Sequence, residues 1–234
     1  MIQDLRRGFW KLLSVLVVCN AIMTTGFGNS ASAQIVPDDT LGNEKSQVTN
    51  NPNIRGLPAQ LIEGGATRGV NLFQSFSQFN VGNGERVYFA NPAGIENILS
   101  RVTGNDPSRI FGLLGVNGNE NLFFINPNGI IFGQNARLDV AGSFVGTTAN
   151  SLLFPNGLQF SATNPQSASL LTINIPIGLQ FGSQPGRITS QAVSRDSQGN
   201  FVDGLGVTSG NTLVQHGGNR VTIKQPKPCP YKST

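Results

Sequence analysis

The sequence predicts an all-β chain wound as a parallel β-helix, and three observations carry that expectation. Charged residues make up 12% of the 234, and 29 residues are glycine; ordinary globular domains carry roughly 25% charge, so helix bundles and charge-rich disordered chains fit poorly. Short apolar or alternating runs, "RVYFANPAGI", "NLFFINPNGIIFG", "ARLDVAGSFV" and "LLTINIPIGLQFG", are separated by Asn-Gly, Asn-Pro and Gly-rich corners, the punctuation of strands and turns. The tetrapeptide GLQF recurs at 157–160 and 178–181, an interval of 21 residues that suits one coil of a solenoid. Together these place a β-helix ahead of a sandwich. At this length one core is expected rather than two.

The first 33 residues read as an export signal. Arg6 and Arg7 precede an apolar stretch from Leu12 to Met23, and Ala31-Ser32-Ala33 forms an A-x-A cleavage site, so the mature chain is expected to begin at Gln34. Leu5 stands before the arginine pair and Val18 before Cys19, which favours a general secretory route over a twin-arginine or lipoprotein one. The apolar core is short and interrupted, so no stable membrane insertion is expected after cleavage. Removing 1–33 takes three basic residues and one acid from a net charge of +4, leaving +2; four more basic residues, Arg220, Lys224, Lys227 and Lys232, lie in the last fifteen positions. The body, 34–219, then holds nine basic and eleven acidic residues, and nucleic-acid binding has no electrostatic support. Cys229 is the one cysteine past the signal, so stability must come from stacking and burial rather than crosslinks.

Along the body, residues 34–52 are polar and suit a flexible segment or an edge strand. Phe73, Phe76 and Phe79 are spaced by three, which also fits one helix face; the Ser, Asn and Gln between them, with Gly at both flanks, favour bent strands in a terminal cap that protects the sheet edge. Leu171, Ile173, Ile175, Ile177, Leu179 and Phe181 share one parity, with Thr172, Asn174, Pro176, Gly178 and Gln180 on the other. That alternation predicts a strand with one buried face, and Pro176 an edge or bend within it. In Asn126-Pro127-Asn128-Gly129 each residue suits a tight turn: Asn to bond backbone two residues on, Pro to set φ, Asn to tolerate the third position and Gly the fourth.

The run "LPAQLIEGGATRGVNLFQSFSQFNVGNGERVYFANPAGIENILSRVTG", followed by "LFFINPNGIIFGQNARLDVAGSFVGTT", resembles the haemagglutination-activity domain at the N-terminus of filamentous haemagglutinin-like exoproteins. Its "NILSRVTG" and "NPNGIIFG" look like the cyanobacterial version. The resemblance covers roughly residues 48 to 190 and several motifs in order. It implies a right-handed parallel β-helix, a single-stranded solenoid with an N-terminal cap and extra-helical strands. It also implies two-partner secretion: an outer-membrane transporter barrel with periplasmic recognition modules as partner, export through the periplasm, and a secreted or surface location. Of the family's two Asn-Pro motifs, the one continuing Gly-Ile matches Asn126, Pro127, Asn128, Gly129 and Ile130. The other corresponds to Asn91, Pro92, Ala93 and Gly94 and departs from the usual third and fourth residues. "NPNI" at 51–54 matches by letters, but it precedes the Phe-rich segment.

Two other function classes compete. A polysaccharide-active β-helix needs grouped carboxylates or a base beside a metal; Asp139, Asp196 and Asp203 are scattered, His216 is the only histidine, and no metal-ligand or phosphate-loop spacing occurs. No enzyme activity, metal or cofactor is expected. A carbohydrate- or surface-binding adhesin module would use outward Asn, Ser, Thr and Gln toward host or cell-surface glycans, yet Tyr88 and Tyr231 are the only Tyr or Trp left for stacking once Trp10 leaves with the signal. Arg68, Arg101 and Arg137 are expected to brace corners or pair locally. After "VTSGNTLVQHGGNRVTI" the strand pattern gives way to "KQPKPCPYKST", and residues 220–234 are expected to form a disordered basic tail or the end of a shortened reading frame.

Overall fold

A computed structural model describes residues 34–155, 157–165, 171–195, 201–218 and 220–224. The expected signal at 1–33 and residues 225–234 lie outside the described residues. Among the described residues regular structure is strand throughout, apart from one 3-10 turn at Gly42–Glu44. In chain order the strands are β1 (Gln34–Pro37), β2 (Ser46–Ile54), β3 (Leu57–Gly64), β4 (Ala66–Arg68), β5 (Asn71–Asn80), β6 (Arg86–Phe89), β7 (Asn97–Val102), β8 (Ser108–Ile110), β9 (Leu113–Val116), β10 (Asn121–Ile125), β11 (Ile130–Phe132), β12 (Arg137–Asp139) and β13 (Phe144–Thr147). There follow β14 (Ser151–Leu153), β15 (Gln159–Ser161), β16 (Gly178–Gln180), β17 (Ile188–Ser190), β18 (Val193–Arg195), β19 (Phe201–Asp203), β20 (Leu213–Gly217) and β21 (Arg220–Lys224).

Three parallel sheets form the walls of a solenoid. The first stacks β5, β7, β10, β13 and β20, the second β8, β11 and β17, and the third β3, β6, β9 and β12. The chain visits first, second and third wall in turn, making a right-handed β-helix of about three turns. Register sets the coil length: Asn71 lies beside Asn97 and Asn97 beside Asn121, steps of 26 and 24 residues, while Leu122 beside Phe144 is a step of 22. Because strand side chains alternate, one parity of the first wall points inward as an apolar column, Leu72, Ile98, Leu122, Phe144 and Leu213, each at most 2% exposed. Burying such a side chain contributes ~1.5–3 kcal/mol.

The Phe-rich segment is β5, the first strand of the first wall, not the cap. Its spacing of three arises from a bulge: Val36 pairs with Gln78 and Pro37 with Phe76, so Ser77 is skipped. Parity shifts there, and Leu72 and Phe76 before the bulge share the inner face with Phe79 and Val81 after it. Phe73 points the other way, into a second cluster outside the wall. The protecting elements are antiparallel strands: β1 covers the C-terminal half of the β5 edge, β4 the N-terminal half, and β2 the β3 edge. Residues 34–52 thus contribute two edge strands, β1 and most of β2, with the 3-10 turn between them.

Between β13 and β17 the chain leaves the solenoid. β14 pairs antiparallel with both β15 and β16, and this small sheet lies over the outer face of the first wall, where Phe73, Leu99 and Ile125 meet Leu152, Phe154 and Phe160. Both GLQF copies belong to it, so their interval of 21 is not a coil period. The expected long strand at 171–181 is also corrected. Only Gly178–Gln180 is strand, and Ile173, Ile175 and Ile177 are 67%, 58% and 66% exposed. The polar parity is the one tied down, since Asn71 Nδ2 donates to the carbonyls of Thr172 and Asn174. At the far end β21 pairs antiparallel with β20, so strand structure runs past 219 into the segment expected to be a tail.

Candidate functional site

Asn126 to Ile130 connects the first wall to the second inside the stack. Asn126 Oδ1 accepts the Asn128 amide at 3.0 Å and the Gly129 amide reaches the Asn126 carbonyl at 3.1 Å, the Asx-type turn that the residue types suggest. The rest of the Asn126 side chain works across coils. Nδ2 donates to the Asp106 carbonyl at 3.0 Å and to Ser108 Oγ at 2.9 Å, and the residue is fully buried. From the other side Gly186 N donates to the Pro127 carbonyl and Ile130 N to that of Arg187. A Cβ on Gly186 would sit 2.4 Å from the Asn128 carbonyl carbon, so the corner is clamped between neighbouring coils. Asn128 alone among the five is exposed, with Nδ2 donating to the Gly104 carbonyl at 2.7 Å. Gly129 takes φ 130°, a conformation that L side chains avoid.

Asn91 to Gly94 turns the chain from the third wall to the first. All four residues are exposed; Ile95 N bonds the Pro92 carbonyl at 3.3 Å and Gly94 takes φ 83°. The structure therefore keeps the two motifs at different corners and does not gather them into one site. "NPNI" at 51–54 lies in β2, at the bulge between Asn50 and Asn53.

Two polar assemblies were not visible in the sequence reading. The first is an asparagine ladder along the first wall. Asn97 Nδ2 donates to Asn71 Oδ1 at 3.2 Å, Asn121 Nδ2 to Asn97 Oδ1 at 3.0 Å, and Ser143 N to Asn121 Oδ1 at 2.9 Å. Its signal is Asn before two apolar residues, at Asn71-Leu72-Phe73, Asn97-Ile98-Leu99 and Asn121-Leu122-Phe123. The second centres on Arg101, which is fully buried. Nε donates to Ser75 Oγ, Nη2 to Thr40 Oγ1 and Nη1 to the Ser161 carbonyl, and the guanidinium lies 4.4 Å from the Phe160 ring centroid. Ser75 and Thr40 in turn bond Asp38, joined by Thr103 Oγ1 at 2.6 Å. Burial pulls Arg101 down to about 10, with Asp38 partly offsetting it. For Asp38, burial pushes the carboxyl up, but the hydroxyls of Thr103, Thr40 and Ser75 and the Thr40 amide outweigh it and hold it below its ordinary 3.8.

Arg68, Arg137 and Arg55 also brace the fold. Arg68 forms a fork with Glu44, and Arg137 donates to the Gln134 and Ala136 carbonyls. Arg55, in the β2–β3 hairpin turn, reaches Asp139, which also accepts the Tyr88 hydroxyl at 2.6 Å. Burial first, then Asp139, raises the Tyr88 pKa. A cavity of about 420 Å³ is lined by Leu138, Val193, Leu205 and Val207 beside Arg137. Among the described residues no three His, Cys, Asp or Glu side chains gather as metal ligands.

The chain is 30% identical over 142 residues to a heme/hemopexin-binding protein of Haemophilus influenzae, a match covering 60% of this chain and 15% of that protein. It therefore spans a small fraction of that relative's length. No solved structure matches. A family model described as the TPS secretion domain matches residues 33–227, which spans every coil, both Asn-Pro corners and the outer sheet; the chain belongs to the TPS secretion domain family.

Proposed function

We propose that residues 34–219 act as the export-targeting domain of a two-partner exoprotein, released from the signal at 1–33 and handed to an outer-membrane barrel with periplasmic recognition modules. The route runs through the periplasm to the medium or cell surface, and the role is non-enzymatic, as is general for the family. One observation carries the mechanism: Asn126 is fully buried, held by the coil of Asp106 and Ser108 on one side and capped by that of Gly186 and Arg187 on the other. A partner can touch that side chain only before those coils close. The transporter thus takes the chain extended, by strand addition to its own sheet, and coils that stack nearest-neighbour on the far side hold each emerged length in place. Asn126 acts by closing its corner, whereas exposed Asn128 is the contact available to a partner.

Co-expression with a two-partner outer-membrane barrel tests the reading against a barrel-free control. Barrel-dependent appearance of the chain in the medium is expected. Chain that is made and cleaved at the signal yet stays cell-associated with the barrel present overturns it.

A further inference from the structure

The outer face of the first wall is closed by residues that come much later in the chain than the coils it belongs to. The stacking of β5, β7, β10 and β13 joins residues 22 to 26 apart, whereas the later steps, β11 to β17 and β13 to β20, bridge the inserted segment at 58 and 69. The contacts of the outer sheet also span far more than the early steps: Arg101 to the Ser161 carbonyl is 60 residues, and Asn71 to the carbonyls of Thr172 and Asn174 is 101 and 103. Phe73 stands edge-on to Phe160 at 5.0 Å, and Phe154 is 6.3 Å from the same ring. The asparagine ladder ends on the Thr172–Asn174 stretch that precedes β16. Each amide in it donates toward the N-terminal coil, and the first, Asn71, donates to the Thr172–Asn174 stretch.

We infer that β14, β15, β16 and the Thr172–Asn174 stretch form a latch that closes over the outer face of the first wall after β5, β7 and β10 have stacked. Loop closure costs more over a hundred residues than over twenty-five, so the contacts among β5, β7 and β10 form first. Until the latch arrives, Phe73, Leu99 and Ile125 lack the cover of Leu152, Phe154 and Phe160, the Asn71 amide lacks its final acceptors, and Arg101 lacks the Ser161 carbonyl. Closure satisfies the three together. Arg101 also holds Thr40 and Ser75, so the same side chain ties the N-terminal strap and the latch to one wall. In an exported chain, which is the part of this inference that rests on the function proposed above, the N-terminal coils stay open on that face until residue 180 has emerged.

The order is tested on the purified full chain without any transporter, so the outcome is independent of whether export succeeds. Pulse-labelling hydrogen exchange during refolding from urea is expected to protect the amides of β7, β10 and β11 in an earlier phase than those of β14, β15 and β16. Protection of both groups in one phase, or of the outer sheet first, overturns the inference. At equilibrium, Asn71→Asp places an oxygen against two carbonyls while keeping its Oδ1 for Asn97, and Phe160→Leu weakens the ring contacts with Phe73 and Arg101. Each is expected to speed exchange in β14–β16 at least tenfold and leave β10 and β11 unchanged. Equal acceleration in all strands, or none in the outer sheet, shows that the latch does not open as a unit.

Discussion

Asn126 and Asn91 each begin an Asn-Pro corner that leads out of a strand, but one side chain is fully buried and bonded across coils while the other faces solvent beside Pro92, Ala93 and Gly94. The difference comes from position in the stack. A corner with coils on both sides must satisfy its polar groups internally, because water cannot reach them. Where water reaches the corner, the turn needs little beyond φ. Resemblance of letters between two corners is therefore a poor guide to their energetic weight.

Asn126→Ala should break the comparison most visibly. It removes two donors and one acceptor from a buried corner, leaving Ser108, the Asp106 carbonyl and the Asn128 amide without them, at a cost of about 3 kcal/mol. Urea denaturation measures it, and a value under about 1 kcal/mol would remove the folding role assigned to Asn126. Next comes a glycine pair. Gly129→Ala forces a side chain into φ 130° with its Cβ 3.0 Å from the Arg187 carbonyl oxygen, whereas Gly94→Ala meets only the cost of φ 83° in open space. Losses of about 2 and about 1 kcal/mol are expected; equal losses would mean that neighbouring coils add nothing at the inner corner.

pH sharpens the contrast further. None of the side chains bonded to Asn126 is titratable, so its substitution should cost the same at pH 7 and pH 3. Asp38 has a carboxyl held below its ordinary value. Its contribution is full above the unfolded pKa of 3.8 and fades as pH falls through the lower folded value. The stability gap between wild type and Asp38→Asn should accordingly narrow below about pH 4; a gap that stays constant in acid would contradict the hydroxyl network described around it. Asn128→Ala gives up the Gly104 bond on an exposed residue, ~0.5 kcal/mol. If Asn128 is the partner's contact, this variant loses barrel-dependent release with its melting temperature nearly unchanged, and full release would remove it from the recognition surface. The smallest effect belongs to Asn91→Ala, within about 0.5 kcal/mol.

Local chemistry explains what was legible. The bond from Asn128 N to Asn126 Oδ1 spans two residues, so Asn-Pro-Asn-Gly was enough to expect it. The all-β class followed from low charge and frequent corners, and the bracing arginines from the scarcity of partners. The misreadings share another cause. Alternation in Leu171 to Phe181 shows that two faces differ but not which one meets the body, and here the isoleucines face out because Thr172 and Asn174 supply the carbonyls Asn71 needs. Phe73, Phe76 and Phe79 share a spacing but not a face, since the skipped Ser77 depends on pairing with β1, some forty residues earlier. Coil steps of 26, 24 and 22 hid the asparagine ladder from any search for a constant period.

By itself the sequence determined the class of fold and the turn at Asn126, because each depends on residues within a few positions of one another. Tertiary structure alone decided which strands guard the edges, that Arg101 is buried rather than free to bind, and that an uncharged stretch after β13 folds back over the first wall. The docking of β1, the burial of Arg101 against Ser161 and the fold-back onto Asn71 depend on contacts between residues 39 to 103 positions apart, and a chain carries no local mark of which distant backbone carbonyl will satisfy a given amide.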